Sequence, residues 1–159
     1  MNIFDDYTRS LLEQLNKNKV EYLVVGGYAV NFHGYRRTTG DIDLWIKPDN
    51  ELNKRKIILS LANLGVEDHK LEQLEELNFV EPLVFIDGEE PFKIDFMTHI
   101  SGVVFDEAWQ KKITTQIDGL EINFIHLDDL VISKMSTDRI KDKIDIEMLQ
   151  KIDREKDKI

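Results

Sequence analysis

The sequence predicts an α+β fold in which helices pack against a mixed β-sheet. Three observations support this prediction: apolar residues recur at helical spacing near the start of the chain, strand-like apolar runs occupy its middle, and helical periodicity returns after residue 127. No repeat, low-complexity tract or linker rich in proline or glycine interrupts the 159 residues. We therefore expect a single domain, 1–159, that closes with a C-terminal helix from about residue 127.

Helices and strands are predicted to alternate in the first half of the chain. An amphipathic helix comes first, because its apolar residues are spaced to lie on one face. The glycines at 26 and 27 should open a short helix. Pro48 should end the strand at 42–46, and Asn50 can cap the helix that follows it. The predicted ranges are a helix at 4–15, a strand at 20–25, a helix at 28–33, a strand at 42–46 and a helix at 50–63.

Strand patterns dominate the second half, after a short acidic helix at 71–77. One predicted pair of strands surrounds Asp87-Gly88, and a second pair surrounds Asp118-Gly119, a dipeptide strongly favoured in two-residue hairpin turns. The tail has an apolar stripe with charge elsewhere, which is typical of an amphipathic helix. The predicted strands are 80–86, 92–97, 114–117 and 120–125.

Composition excludes several classes of protein. Lys plus Arg total 21 against 31 Asp plus Glu, a net charge of −10, so nonspecific nucleic-acid binding is not expected. No segment approaches eighteen consecutive apolar residues, and the N-terminus lacks the features of a signal peptide, so we expect a cytoplasmic protein without a membrane partner. The absence of cysteine excludes thiolate metal sites and a cysteine nucleophile.

The most informative stretch is a glycine pair followed by paired aspartates. Val25-Gly26-Gly27 precedes Asp41-Ile42-Asp43 by thirteen residues. Because side chains alternate along a strand, the two carboxylates should lie on one face, about 7 Å apart. A glycine loop that opens a helix presents free backbone N–H groups to a phosphate. The unit therefore predicts a phosphate site that faces a cation site.

A third carboxylate is predicted to join this pair. Large apolar residues at 92, 94 and 96 should occupy one face of their strand, so Asp95 should emerge from the other. Three carboxylates together repel by on the order of 4 kcal/mol per pair at 4 Å and an effective dielectric of 20, and they therefore need a divalent cation. A set of ligands made only of oxygen favours Mg²⁺ or Mn²⁺. In a two-metal mechanism, Asp41 and Asp43 would bridge both ions, and Asp95 would hold the ion that activates the acceptor and take its proton.

Taken in order, these motifs resemble the DNA polymerase β-like nucleotidyltransferase superfamily. More narrowly, residues 20–150 are similar to its small bacterial members, which include the abortive-infection type and relatives of lincosamide-modifying enzymes. The residues that carry the resemblance are Val25-Gly26-Gly27-Tyr28-Ala29-Val30, His33-Gly34, Arg37-Thr38, Asp41-Ile42-Asp43-Leu44, Asp95, Lys134, Arg139-Ile140-Lys141-Asp142 and Asp145. The resemblance implies transfer of a nucleoside monophosphate from an NTP to a hydroxyl or phosphate, with release of pyrophosphate.

Nucleotide-binding residues are expected at Gly26, Gly27, Arg37, Lys134 and Lys141. Arg37 lies between the glycines and the carboxylate strand, so its guanidinium either approaches the triphosphate or makes a surface salt bridge. The two lysines are seven residues apart, so a continuous helix would present both on one face, as a phosphate clamp or as a solvated surface with local ion pairs.

Several neighbouring residues carry weaker predictions. Asp142 and Asp145 would orient the basic side chains near them. His33 is interpreted as a structural residue that ends the short helix. Trp45 shares strand parity with the aspartates and would either stack on a base or pack in the core.

Three functions remain open at this stage. The leading one is Mg²⁺-dependent transfer of a nucleoside monophosphate to a hydroxyl of a small molecule, an RNA end or a protein. Tyr28 stands where many relatives carry serine, and the short chain leaves little room for a second substrate domain. These two features favour the alternative, a catalytically weak or inactive interaction module with a protein partner, such as a toxin-antitoxin component. Metal-dependent phosphate hydrolysis would use the carboxylates but not the glycine loop.

Overall fold

A computed structural model of the chain describes residues 4–157, and it confirms the α+β prediction. Helices pack against a six-stranded mixed sheet with the strand order β3-β4-β2-β1-β6-β5. The elements are α1 (Asp6–Lys17), β1 (Tyr22–Val25), α2 (Gly26–Phe32), β2 (Ile42–Ile46), α3 (Leu52–Asn63), α4 (Asp68–Glu76), β3 (Val84–Asp87), β4 (Ile94–Met97), α5 (Phe105–Lys111), β5 (Ile113–Ile117), β6 (Leu120–Phe124), α6 (Leu127–Met135) and α7 (Ile140–Lys156).

Helix α1 begins and packs as its sequence requires. The Asp5 carboxylate accepts hydrogen bonds from the Thr8 backbone N–H at 2.9 Å and from the Thr8 hydroxyl at 2.7 Å, which caps the first turn. Leu11, Leu12 and Leu15 are all buried in the core. The apolar stripe seen in the sequence therefore joins α1 to the rest of the fold.

The sheet sets the register of the residues predicted to form the site. Strand β1 is antiparallel to β2, and β2 is parallel to β4. Val25 pairs with Asp43, and Asp43 pairs with Asp95. Cross-strand partners project from the same face of a sheet, so the two aspartates are direct neighbours. The centre of the sheet is dry, because all four residues of β1 are buried.

Some boundaries differ from the sequence prediction. Helix α2 begins at the first glycine, two residues earlier than predicted, and β3 begins four residues later and ends one residue later than the predicted strand at 80–86. Helix α5 was not predicted. It buries Phe105, whose ring meets Trp45 edge to face at a centroid distance of 5.1 Å. Trp45 is only 1% exposed, and its Nε1 donates to the Thr98 carbonyl at 2.9 Å, so this side chain packs in the core.

The C-terminal tail is helical from Leu127, but it consists of two helices separated by a break between Met135 and Ile140. The Asp142 carboxylate accepts hydrogen bonds from the Thr137 hydroxyl at 2.6 Å and from Arg139 Nε at 2.9 Å, which folds the connection back onto α7. Short polar side chains such as Thr137 compete with helical backbone bonds in this way. Among residues 4–157, no helix combines the length and apolar character needed to cross a bilayer.

Candidate active site

The two glycines are required where α2 approaches the carboxylate strand. Gly26 has φ of +64°, and a Cβ added there would overlap the Asp43 carboxylate. A Cβ at Gly27 would overlap the Thr39 hydroxyl. Only residues without a side chain permit this approach. The start of α2 therefore lies directly against Asp43.

The three predicted carboxylates line one cavity of about 280 Å³. Asp43 and Asp95 come from paired positions of β2 and β4, and Asp41 lies just before β2. Burial, together with the nearby carboxylates of Asp95 and Asp41, raises the pKa of Asp43 to about 7, although the charge of Lys134 acts in the opposite direction. The site thus concentrates negative charge in a region where water solvates it poorly.

Lys93 supplies a positive charge to this cluster. Its Nζ lies 3.2 Å from Asp41 Oδ2 and 3.7 Å from Asp95 Oδ1. The sequence interpretation assigned this lysine no role. The sequence could have indicated this position, because Lys93 is two residues before Asp95 and the two would share a face of the predicted strand at 92–97.

The carboxylates also suit a divalent cation. Asp95 Oδ1 is buried and has no hydrogen-bond partner among the described residues, and every donor atom of the aspartates is a carboxylate oxygen. Within residues 4–157, however, no group of three His, Asp or Glu side chains is already arranged to hold an ion. Asp41 instead contacts Lys93. The donor set fits Mg²⁺ or Mn²⁺, provided that Asp41 turns from the ammonium group to the ion.

Arg37 also lines the cavity, and its salt bridge is largely buried, unlike the surface salt bridge considered from the sequence. Its Nε and Nη2 donate to the two oxygens of Asp145 at 2.7 and 2.8 Å. The Asp145 side chain is only 1% exposed and that of Arg37 13%. Burial disfavours the ionised carboxylate, but hydrogen bonds from Arg37 and Lys134 keep the pKa of Asp145 below its ordinary value.

Lys134 joins the same network. Its Nζ lies 2.9 Å from Asp142 Oδ1 and 3.0 Å from Asp145 Oδ2. Burial opposes ionisation of Asp142, yet hydrogen bonds from Lys134, Thr137 and Arg139 lower its pKa to about 2. The orienting contacts predicted for Asp142 and Asp145 are therefore present.

Lys141 reaches the cavity in a different way from the one predicted. The break after α6 means that Lys134 and Lys141 do not share a face of one helix. Lys134 is buried in the last turn of α6, whereas Lys141 is exposed in the first turn of α7. Both still line the 280 Å³ cavity. The packing of α6 against α7, and not their spacing along one helix, brings the two lysines to the same cavity.

A second cavity of about 380 Å³ adjoins the first, and the two share Gly26, Asp43 and Lys134 among their lining residues. The first cavity holds the glycines and the three aspartates, and the second is less acidic. The residues lining only the second are Val25, Met97, His99, Ile100, Ser101, Leu130, Ser133 and Thr137. The two cavities therefore lie side by side at the start of α2.

His33 lies outside the catalytic cluster. It forms the C-terminal cap of α2, and its Nε2 donates a 2.7 Å hydrogen bond to the Ile125 carbonyl. This contact ties the end of α2 to the residue after β6. The structural role predicted for His33 is confirmed.

A family match over almost the whole chain places this protein in the class of nucleotidyltransferases. More particularly, the chain belongs to the family described as "Nucleotidyl transferase of unknown function (DUF2204)", whose sequence profile matches residues 4–159. No protein of curated function matches the chain by sequence.

Two solved structures share the fold at low sequence identity. The lincosamide antibiotic adenylyltransferase LnuA, solved with lincomycin bound, is 17% identical with a TM-score of 0.55, and the alignment covers 95% of this chain and 99% of LnuA. TM1012 from Thermotoga maritima, a protein assigned to the nucleotidyltransferases, is 14% identical with a TM-score of 0.54. That alignment covers 94% of this chain and 91% of TM1012. At this identity the likeness shows the fold alone.

Proposed function

We propose that this protein transfers a nucleoside monophosphate from an NTP to the hydroxyl of an acceptor, with Mg²⁺ or Mn²⁺ and two ions at the site. The observation that carries the proposal is the register of Asp43 against Asp95, directly beside Gly26, in one cavity with Asp41. We expect the reaction to take place in the cytoplasm, where the NTP donor is available.

In this proposal the three aspartates hold the ions. Bound divalent cations would offset charge on the phosphates and make the acceptor hydroxyl more acidic. Asp95 accepts the proton of that hydroxyl, because its buried Oδ1 accepts no hydrogen bond from the described residues. The hydroxyl oxygen then forms a bond to the α-phosphorus, the bond between the α- and β-phosphates breaks, and pyrophosphate leaves.

The basic residues that line the cavity, here called the basic wall, would bind the triphosphate. Three cations, Arg37, Lys134 and Arg139, share two buried carboxylates, so the network retains one net positive charge toward the cavity. The exposed Lys141 adds another at the rim. Together with the backbone of Gly26 and Gly27, these groups neutralise the phosphates and the departing pyrophosphate.

Label transfer from an NTP tests the proposal. The protein, with Mg²⁺ and each of the four labelled NTPs, is incubated with pools of small hydroxyl compounds, RNA and proteins. Wild type should label an acceptor, and Asp41→Asn should not. Asp106→Asn is the matched control, because its side chain is 76% exposed and lies outside the cavity. Equal labelling by wild type and Asp41→Asn would remove the proposed mechanism.

A second candidate function is that of an interaction module, such as a toxin-antitoxin component. The observation that favours it is the exposed apolar surface of the edge strand β3, where Val84 is 64% and Ile86 57% exposed. Edge strands with such residues are suited to pairing with another chain. Co-purification from native lysate tests this function. A stoichiometric partner lost in Ile86→Lys, together with no label transfer by wild type, would favour the module over the enzyme.

A further inference from the structure

The ammonium group of Lys93 lies beside the carboxylates that are proposed to bind metal. Its ammonium group contacts Asp41 at 3.2 Å and approaches Asp95 at 3.7 Å, which are two of the three carboxylates proposed to bind metal. Lys93 lies directly before strand β4, two residues before Asp95. One positive charge thus lies between carboxylates whose mutual repulsion would otherwise be unrelieved.

We propose that Lys93 is a positioning residue of the metal site, a built-in counter-cation that holds Asp41 and Asp95 together without metal and is displaced when metal binds. The proposal rests on the function proposed above. It accounts for the absence of a ready three-carboxylate site among the described residues, since Asp41 is directed to the ammonium. A bound ion and the Lys93 ammonium would compete for the same Asp41 oxygen.

The structure also offers a place for the displaced ammonium. Glu90 Oε1 lies 3.8 Å from Lys93 Nζ, and the Glu90 side chain is 71% exposed. A small rotation toward Glu90 keeps the lysine paired and moves its charge away from the ion. Lys93 therefore acts in two ways: it relieves repulsion in the metal-free protein, and it weakens metal binding by competition.

Mn²⁺ binding, measured by electron paramagnetic resonance or calorimetry on the full chain, tests this inference without recourse to activity. Lys93→Met should bind Mn²⁺ about tenfold more tightly than wild type, because a like charge close to the ion is removed. The same variant should melt about 2–4 °C lower without metal and regain that loss on adding Mn²⁺. Lys93→Arg should remain close to wild type in both measurements.

Controls separate this inference from the function on which it rests. Lys47→Met removes the same charge from a surface pair with Glu21 and should not change Mn²⁺ affinity. If Asp41→Asn weakens Mn²⁺ binding but Lys93→Met leaves it unchanged, the metal site stands and the role of Lys93 is overturned. If wild type and Asp41→Asn bind Mn²⁺ equally, both proposals fail. Lys93→Gln provides the same comparison should the methionine variant fail to fold.

Discussion

Arg37 and Asp145 form a two-pronged ion pair across 108 residues of chain, with Nε–Oδ1 and Nη2–Oδ2 distances of 2.7 and 2.8 Å. The pair fastens the segment between α2 and β2 to α7. Lys134 approaches the same carboxylate at 3.0 Å. Part of the basic wall is therefore also a structural joint, in which Asp145 holds both Arg37 and Lys134.

Breaking this joint should destabilise the protein. Asp145→Asn leaves Arg37 without its buried partner, so we expect the free energy of unfolding to fall by about 2–4 kcal/mol. Arg37→Lys keeps the charge but loses the planar fork, and it should cost about 1–2 kcal/mol. Urea denaturation measures both. Glu13→Gln, which breaks an exposed pair with Arg9, should change stability little; a loss equal to that of Asp145→Asn would contradict the prediction.

Gly26→Ala should disturb the site and the fold together. The new methyl group would overlap the Asp43 carboxylate, and φ of +64° is unfavourable for alanine. We expect a loss of about 1–3 kcal/mol in thermal or urea unfolding. Gly40→Ala is the matched control, because nothing lies within 4 Å of a Cβ added there. Equal melting temperatures for the two variants would show that α2 does not require the glycine.

Asp43→Asn should separate stability from activity. Asparagine keeps the shape of the side chain but removes a carboxylate whose raised pKa shows that its charge is disfavoured in the folded state, so above pH 7 the metal-free protein should melt about 2–4 °C higher. Label transfer should fall by at least about a hundredfold, because a proposed metal ligand is lost. Scanning calorimetry and the transfer assay measure the two effects. An unchanged melting temperature would indicate that the carboxylates do not repel each other in the metal-free protein.

Stability should depend on the protonation of His33. Burial lowers its pKa below the ordinary 6.5, and nearby His126 and Lys156 act in the same direction, although the bond to the Ile125 carbonyl opposes them. The unfolded chain therefore binds the proton more readily, so His33 contributes stability above pH 6.5 that is lost as pH falls toward its folded pKa.

Urea denaturation at pH 7.5 and 5.5 tests this sign. His33→Gln should lower stability at pH 7.5 by about 1–3 kcal/mol, because the buried bond to Ile125 is altered, and it should reduce the difference between the two pH values. His69→Gln should leave that difference unchanged, since the His69 side chain is 62% exposed. An undiminished difference in His33→Gln would contradict the assignment.

Local patterns were enough to predict much of the fold. The strand at 42–46 and the Asp118-Gly119 hairpin lie where the sequence placed them, because alternation and turn chemistry act over a few residues. Helix α5 was not predicted, because a helix of seven residues with only two buried positions is too short to show a clear helical spacing of apolar residues. The break after α6 was not predicted either, because it depends on hydrogen bonds that the Asp142 carboxylate accepts from three other side chains.

The sequence by itself determined the family of this protein and the carboxylates of its candidate site, because ordered short motifs and strand parity are encoded by neighbouring residues. Only the tertiary structure decided that Asp43 and Asp95 face each other and that Arg37 is paired with Asp145. It alone brought Lys93 to the carboxylates. Such contacts depend on sheet register and on helices distant in sequence, and their strength depends on burial that only packing creates.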